Sequence, residues 1–112
     1  MVSYVNQEAI NEFSNNIKAI LGTNISEIRL FGSVARGAST SESDIDILVV
    51  VLNEDKAIRE SIIDIAVDVN LKHDVVISPI VMSKDHFAGS LFKETHFYKS
   101  VEREGISLWF QV

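Results

Sequence analysis

The most informative absence in this sequence is cysteine, which does not occur among its 112 residues. Without cysteine the protein can form neither disulfide bonds nor the cysteine-based zinc sites of many small domains. Proline occurs once, at Pro79, so no proline-rich linker divides the chain. The length and the lack of internal repeats predict a single domain over residues 1–112.

Positive charge is also scarce. The chain has 10 Lys and Arg residues against 16 Asp and Glu residues, which gives a formal net charge of −6. Proteins with a broad nucleic-acid-binding surface carry clustered Lys and Arg, so we expect no such surface here. A nucleotide substrate is compatible with the acidic composition, because bound metal ions can supply positive charge locally.

Long hydrophobic runs are missing as well. The longest is ILVVVL at 47–52, far short of the roughly 20 residues that a membrane-spanning helix needs. The first residues, MVSYVNQEAI, lack the basic start and apolar run of a signal peptide. We therefore expect a cytoplasmic protein without membrane contact.

What the sequence does contain is a regular alternation of helix and strand patterns. Apolar residues at three- and four-residue spacing predict helices over 6–21, from Asn53 to about Lys72, over 84–92 after Ser83, and over 95–104. Alternating or continuous apolar residues predict strands over 25–31, 44–52, 74–82 and 106–110. Pro79 indicates that the third strand lies at a sheet edge or is bulged. This order predicts an α/β (α+β) fold, with a small sheet of three or four strands flanked by helices.

One stretch, LFGSVARGASTSESDID at 30–46, departs from these patterns and ends with Asp44 and Asp46. Side chains two residues apart on a strand share a face, about 6.5–7 Å apart along the backbone. Two carboxylates so placed would repel each other and lose solvation unless a cation lies between them. Mg²⁺ prefers oxygen ligands and is commonly held by one or two carboxylates plus substrate phosphates. The pair therefore predicts a site for one such ion, or for two in a two-metal arrangement.

The Gly-Ser pair before the aspartates predicts a phosphate site. Gly32 has no Cβ, so a ligand can approach its backbone closely. Ser33 offers a hydroxyl and a backbone N–H at a predicted helix start, which is a favourable position for a phosphate. Ten residues separate Ser33 from Asp44, and a loop of this length can return the turn to the start of the next strand. A bound phosphate would then face a metal held by the aspartates.

The spaced string GSVARGASTSESDID at 32–46 resembles the signature of the minimal nucleotidyltransferases, in the DNA polymerase beta-like superfamily. It has Gly-Ser, ten residues and then Asp-x-Asp, and the SDIDILV run at 43–49 is also similar to that family. The resemblance implies the nucleotidyltransferase fold. It implies that Gly32 and Ser33 contact the triphosphate, and that Asp44 and Asp46 hold Mg²⁺ or Mn²⁺.

The resemblance also implies roles for two further residues. A third family carboxylate lies on the next strand, where Asp74 is the matching position. It would serve as a metal ligand and as the base for the attacking hydroxyl, whereas Asp68, the other nearby acid, falls inside the predicted helix. Arg36 would neutralise phosphate charge or stabilise the loop.

The implied reaction is transfer of a nucleoside monophosphate, AMP from ATP, to an acceptor hydroxyl, with release of pyrophosphate. The family resemblance implies a HEPN-domain protein as the acceptor, with self-association as another way to complete the site. The rival interpretation is a non-catalytic, antitoxin-like binding module that neutralises its partner by contact. Apolar residues toward the C-terminus favour core or a partner surface over a base-stacking platform; they are Phe87, Leu91, Phe92, Phe97 and Val101.

Overall fold

The structure, a computed structural model, describes residues 4–35 and 44–110. The chain forms, in order, α1 (Tyr4–Leu21), β1 (Ile25–Phe31), α2 (Gly32–Ala35), β2 (Ile45–Val51), α3 (Lys56–His73), β3 (Ile77–Ser83), α4 (Lys84–Phe87), α5 (His96–Glu104) and β4 (Ile106–Phe110). Short 3₁₀ turns lie at Gly22–Asn24 and Phe92–Glu94. Within these ranges no helix is both long and apolar enough to cross a membrane.

The four strands form one mixed sheet in the order β3-β2-β1-β4. Strand β1 is antiparallel to both β2 and β4, whereas β2 and β3 are parallel. A parallel pair needs a long crossover connection, and α3 supplies it here. The predicted fold class, a small mixed sheet flanked by helices, is confirmed.

Strand β2 lies at the centre of the sheet, and six of its seven residues are buried. The face that carries Ile45, Ile47 and Val49 packs against α1 and α3 to form the larger core. The opposite face carries Leu48 and Val50, which pack with Phe87 on α4 and Val101 on α5. Burial on both faces explains why the β2 sequence is an unbroken apolar run after Asp46.

The aromatic residues of the C-terminal part divide between core and surface. Phe87 and Val101 are buried, and Phe92 and Phe97 pack against the same smaller core. Leu91, in contrast, is 86% exposed. Of the two alternatives left open by the sequence, four of these five residues therefore belong to the core, and Leu91 lies on the surface.

Three predicted boundaries are wrong. The N-cap of α3 is Asp55, whose Oδ1 accepts from Ile58 N at 2.8 Å; Asn53 instead pairs with Asn24 through two hydrogen bonds of 2.9 and 3.0 Å. The helix predicted over 84–92 ends at Phe87. The third strand begins at Ile77 rather than at residue 74, because the chain first turns through a left-handed helix cap.

Strand β3 is an edge strand, as Pro79 predicts. The strand starts beside the last turns of α3, where the side-chain amide of Asn70 bonds to the Ile77 backbone. Ile77 N donates to Asn70 Oδ1 at 2.7 Å, and Asn70 Nδ2 donates to Ile77 O at 3.3 Å. These two bonds fix the start of β3 against α3.

Candidate active site

The centre of the candidate site is the contact between Gly32 and Asp46. Gly32 follows β1 directly and has φ +78°, a conformation that glycine adopts without strain. A Cβ at this position would collide with Oδ2 of Asp46 and lie 3.2 Å from its Cγ. The backbone of the Gly-Ser turn therefore packs directly on the Asp46 carboxylate, which lies beside the start of β2.

Sheet register explains how Asp46 reaches this position. Phe31 at the end of β1 is the cross-strand partner of Asp46, and Ser78 on β3 is its partner on the other side. Cross-strand partners share a face of the sheet. Phe31, Asp46 and Ser78 therefore form a row at the end of the sheet where α2 begins.

Asp44 immediately precedes β2 and is exposed, whereas Asp46 is half-buried. Between them, Ile45 is fully buried and its N–H donates to Val76 O at 2.8 Å. The Ile45 side chain points into the larger core, so the two aspartates flank it on the opposite side. Of the two carboxylates, that of Asp46 contacts the Gly32 turn, and both offer the oxygen donors that a hard divalent cation prefers.

The structure does not bring Asp74 into this pair. Asp74 is the C-cap of α3, with φ 54° and ψ 49°, and is exposed. Within 4–35 and 44–110, no three His, Cys, Asp or Glu side chains form a group that could hold a metal ion. On the strand itself, the position beside Asp46 is taken by Ser78.

Of two other predicted site residues, the structure describes Ser33 only in its backbone and does not describe Arg36. Ser33 is the second residue of α2, which confirms that a helix starts at this turn, but its side chain is outside the description. Arg36 lies outside the described residues. Asp68 lies within α3, on its exposed side.

A pocket of about 190 Å³ opens beside the Gly32 turn. Its lining comprises Phe31, Gly32, His96, Phe97, Ser100 and Glu104. The Phe31 and Phe97 rings meet edge to face, with centroids 5.3 Å apart and planes at 82°. Sequence reasoning missed this pocket, because it forms only when α5 packs over the end of β1.

A charged network on β1 fixes α5 over this face of the sheet. Arg29 pairs with the buried Glu27 two residues earlier, and its Nη1 lies 3.0 Å from Glu102 Oε1 on α5. Its guanidinium also lies 5.8 Å from the centre of the Phe87 ring. Burial opposes the charge on Arg29, but the hydrogen bonds to Glu27 and Glu102 and the attraction of their charges together outweigh burial and raise the pKa of Arg29 above its ordinary value. Arg29 thus remains charged and holds α5 in place.

Comparison with known proteins agrees with this geometry. The family model described as "Nucleotidyltransferase domain" matches residues 10–107. "Putative protein adenylyltransferase MJ0141" of Methanocaldococcus jannaschii is 38% identical over 103 residues, which cover 90% of this chain and 96% of that one. The chain therefore belongs to the nucleotidyltransferase domain family and is a transferase that moves nucleotidyl groups.

Two solved structures are similar as well. A chain of "Crystal structure of the toxin-antitoxin with AMP-PNP" has a TM-score of 0.54 and 25% identity, over 87% of this chain and 73% of that chain. "Structure of putative minimal nucleotidyltransferase" has a TM-score of 0.59 and 22% identity, over 91% and 92% of the two chains. The second likeness is one of fold, and it shows the predicted nucleotidyltransferase fold.

Proposed function

We propose that the protein transfers AMP from ATP to a hydroxyl group of a partner protein, in a reaction that depends on Mg²⁺. The observation that carries this proposal is the direct packing of the Gly32 backbone on the Asp46 carboxylate. It supports the proposal because the turn that we propose for the phosphates and the carboxylate that we propose for the metal are in contact. The name of the M. jannaschii relative, a protein adenylyltransferase, supports a protein as the acceptor.

Each residue of the motif has a role in this proposal. Asp44 and Asp46 hold Mg²⁺, with Mn²⁺ as a substitute, and Gly32 and Ser33 take the triphosphate through backbone N–H groups. Arg36 offsets phosphate charge. When bound, the metal stabilises the negative charge that develops on the phosphate oxygens. Asp46 is half-buried. Electrostatic stabilisation is stronger at a position that excludes water than at an exposed one.

The proposed reaction needs no reactant other than ATP and the acceptor hydroxyl. The acceptor oxygen forms a bond to the α-phosphorus, and the bond from that phosphorus to the bridging oxygen breaks. Pyrophosphate leaves, and the acceptor hydroxyl gives up its proton. Asp74 stays our sequence-based prediction for the base and third ligand, and its exposed cap position makes it the role most in need of a test.

A HEPN-type protein is the partner that we propose. The sequence motif resembles transferases that pair with such proteins, and a chain of a toxin–antitoxin complex with AMP-PNP is similar in fold and sequence. AMP-PNP is an adenine nucleotide, which also favours ATP as the donor.

The test is a labelling assay with ATP carrying the label at either the α- or the γ-phosphate. The purified protein, Mg²⁺ and an extract of the source cells are combined with each donor. We expect a protein that is labelled from α-labelled ATP only when the purified protein is added, and no γ-labelled protein that depends on this addition, since only the nucleotidyl group is transferred. Label from the γ position that depends on the purified protein would show phosphoryl transfer and contradict the proposal.

Variants assign the signal to the site. Asp44→Asn and Asp46→Asn should each abolish labelling, whereas Asp68→Asn, on the exposed side of α3, should leave it unchanged. Asp74→Asn keeps a residue that tolerates the left-handed cap, so a loss of labelling there would reflect lost chemistry. If no variant alters the extract's labelling, the signal comes from another enzyme. If the wild type also fails to bind ATP, the non-catalytic binding module is the better description.

A further inference from the structure

We propose that the pocket between α5 and the end of β1 binds the nucleobase of the donor nucleotide. The inference rests on the proposed function, because it assumes a nucleotide at the Gly32 turn. It adds what the sequence motif does not specify, namely which residues contact the base.

Position is the first argument. Gly32 lines the pocket and also packs on Asp46, so the pocket adjoins the proposed phosphate and metal site. Phe31, the residue before Gly32, lines the pocket and is the cross-strand partner of Asp46. A nucleotide with its phosphates at this turn has its base tethered a few bonds away, within reach of this pocket.

Shape and chemistry are the second argument. Pockets for drug-sized ligands span about 300–1,000 Å³, so a pocket of about 190 Å³ fits a fragment such as one planar base. Phe31 and Phe97 supply aromatic walls of the kind on which bases stack. Apolar walls with a few polar groups at fixed positions are typical of small-molecule sites.

The polar residues of the lining lie on one helix and can hydrogen-bond to a base. His96, Ser100 and Glu104 are spaced by four residues on α5, so they share one face of that helix. An ionised carboxylate only accepts hydrogen bonds. Adenine, guanine and cytosine all present an amino group that can donate to a carboxylate, and Glu104 also lies 3.7 Å from Nη2 of Arg103. The lining is therefore compatible with each of these bases.

Calorimetric titration in Mg²⁺ with ATP, GTP and inorganic tripolyphosphate tests the assignment, because tripolyphosphate has phosphates and no base. Ser100→Leu fills the pocket, Phe97→Ala removes one aromatic wall, and Ser90→Leu is a matched control on an exposed serine outside the pocket. We expect Ser100→Leu and Phe97→Ala to weaken ATP binding at least about fivefold, the lower limit of one stacking contact. Tripolyphosphate affinity should stay within about twofold, and GTP binding should weaken in the same variants as ATP binding does.

Other outcomes overturn the assignment in distinguishable ways. Unchanged ATP affinity in both pocket variants would show that the base does not bind in this pocket. A raised KM for the acceptor protein in the same variants would show that the pocket binds the acceptor instead. Equal weakening of ATP and tripolyphosphate would mean that the variants disturb the phosphate site instead. If the wild type binds tripolyphosphate but pocket variants do not affect ATP, only this inference fails. If the wild type binds neither, the proposed function fails with it.

Discussion

Replacing Gly32 with alanine perturbs the site at its centre and should affect stability and activity separately. The backbone at Gly32 has φ +78°, where an L-residue is strained by about 1–2 kcal/mol. A more restricted unfolded chain offsets about 0.4–1 kcal/mol of that strain. The net loss is thus about 1 kcal/mol, which for a domain of this size lowers Tm by roughly 4–8 °C.

Activity should fall far more than this stability change accounts for. The new Cβ would collide with Oδ2 of Asp46, and a carboxylate at the end of a short side chain can rotate away. That relieves the collision at little cost in stability, but it moves the proposed metal ligand. We expect adenylyl transfer in the α-label assay to drop by more than about tenfold at a temperature where the variant is fully folded.

Gly22→Ala is the matched control, because no atom lies within 4 Å of a Cβ built at that glycine. It should keep full activity and an unchanged or slightly higher Tm. The double variant Gly32→Ala, Asp46→Ala separates strain from collision, since the collision needs the Asp46 side chain. Full activity in Gly32→Ala, with a Tm equal to that of the wild type, would refute the description of Gly32 as a close contact of Asp46.

Three other predictions concern stability. Arg29→Ala should destabilise the fold by about 3–5 kcal/mol in urea unfolding, because it leaves Glu27 charged and buried. The double variant Arg29→Ala, Glu27→Leu should recover most of the lost stability. A loss below about 1 kcal/mol in Arg29→Ala alone would contradict the buried-pair explanation. Asp55→Ala should cost about 1 kcal/mol by removing the α3 N-cap, while Asp64→Ala, exposed on the same helix, should cost little. The Lys72 hydrogen bond at 2.8 Å, with His73, lowers the pKa of Glu12 below its ordinary 4.5. The stability difference between wild type and Glu12→Gln should therefore be present at neutral pH and vanish as pH falls through that lowered pKa; a difference independent of pH would contradict the pairing.

The sequence predicts most of the secondary structure because local apolar spacing decides it. The helix that includes Phe13 and Ile17, and the strand that includes Ile47 and Val49, follow from periodicity alone, since these side chains are fully buried. The Gly32–Asp46 contact was also predictable, because the motif places both residues at the two ends of one connection. These features depend on residues that are close in sequence.

What the sequence did not predict depends on distant contacts. Asn53 and Asp55 are both good capping residues, and the choice between them follows from the pairing of Asn53 with Asn24, 29 residues away. The start of β3 follows from its parallel register with β2, where Ile45 pairs with Ile77. That register leaves Asp74 in a helix cap, although its local sequence resembles the beginning of a strand.

The pocket between α5 and the end of β1 was not predicted from the sequence. Its aromatic walls are Phe31 and Phe97, which lie 66 positions apart in the printed sequence. The four-residue spacing of His96, Ser100 and Glu104 can be seen in the sequence, but it is equally typical of an ordinary polar helix face. Only the packing of α5 on β1 makes it the lining of a pocket.

The β3 edge is protected against pairing with a strand from another molecule. Val76 O bonds to β2, so by alternation the backbone groups of Ile77 and Pro79 point away from the sheet. The Asn70 amide occupies both outward groups of Ile77, and Pro79 has no N–H to donate. An incoming strand would find no regular row of donors on this half of β3. The Asn70 side chain and Pro79 thus reduce the capacity of the β3 edge to pair with a strand of another molecule, which exposed sheet edges otherwise allow.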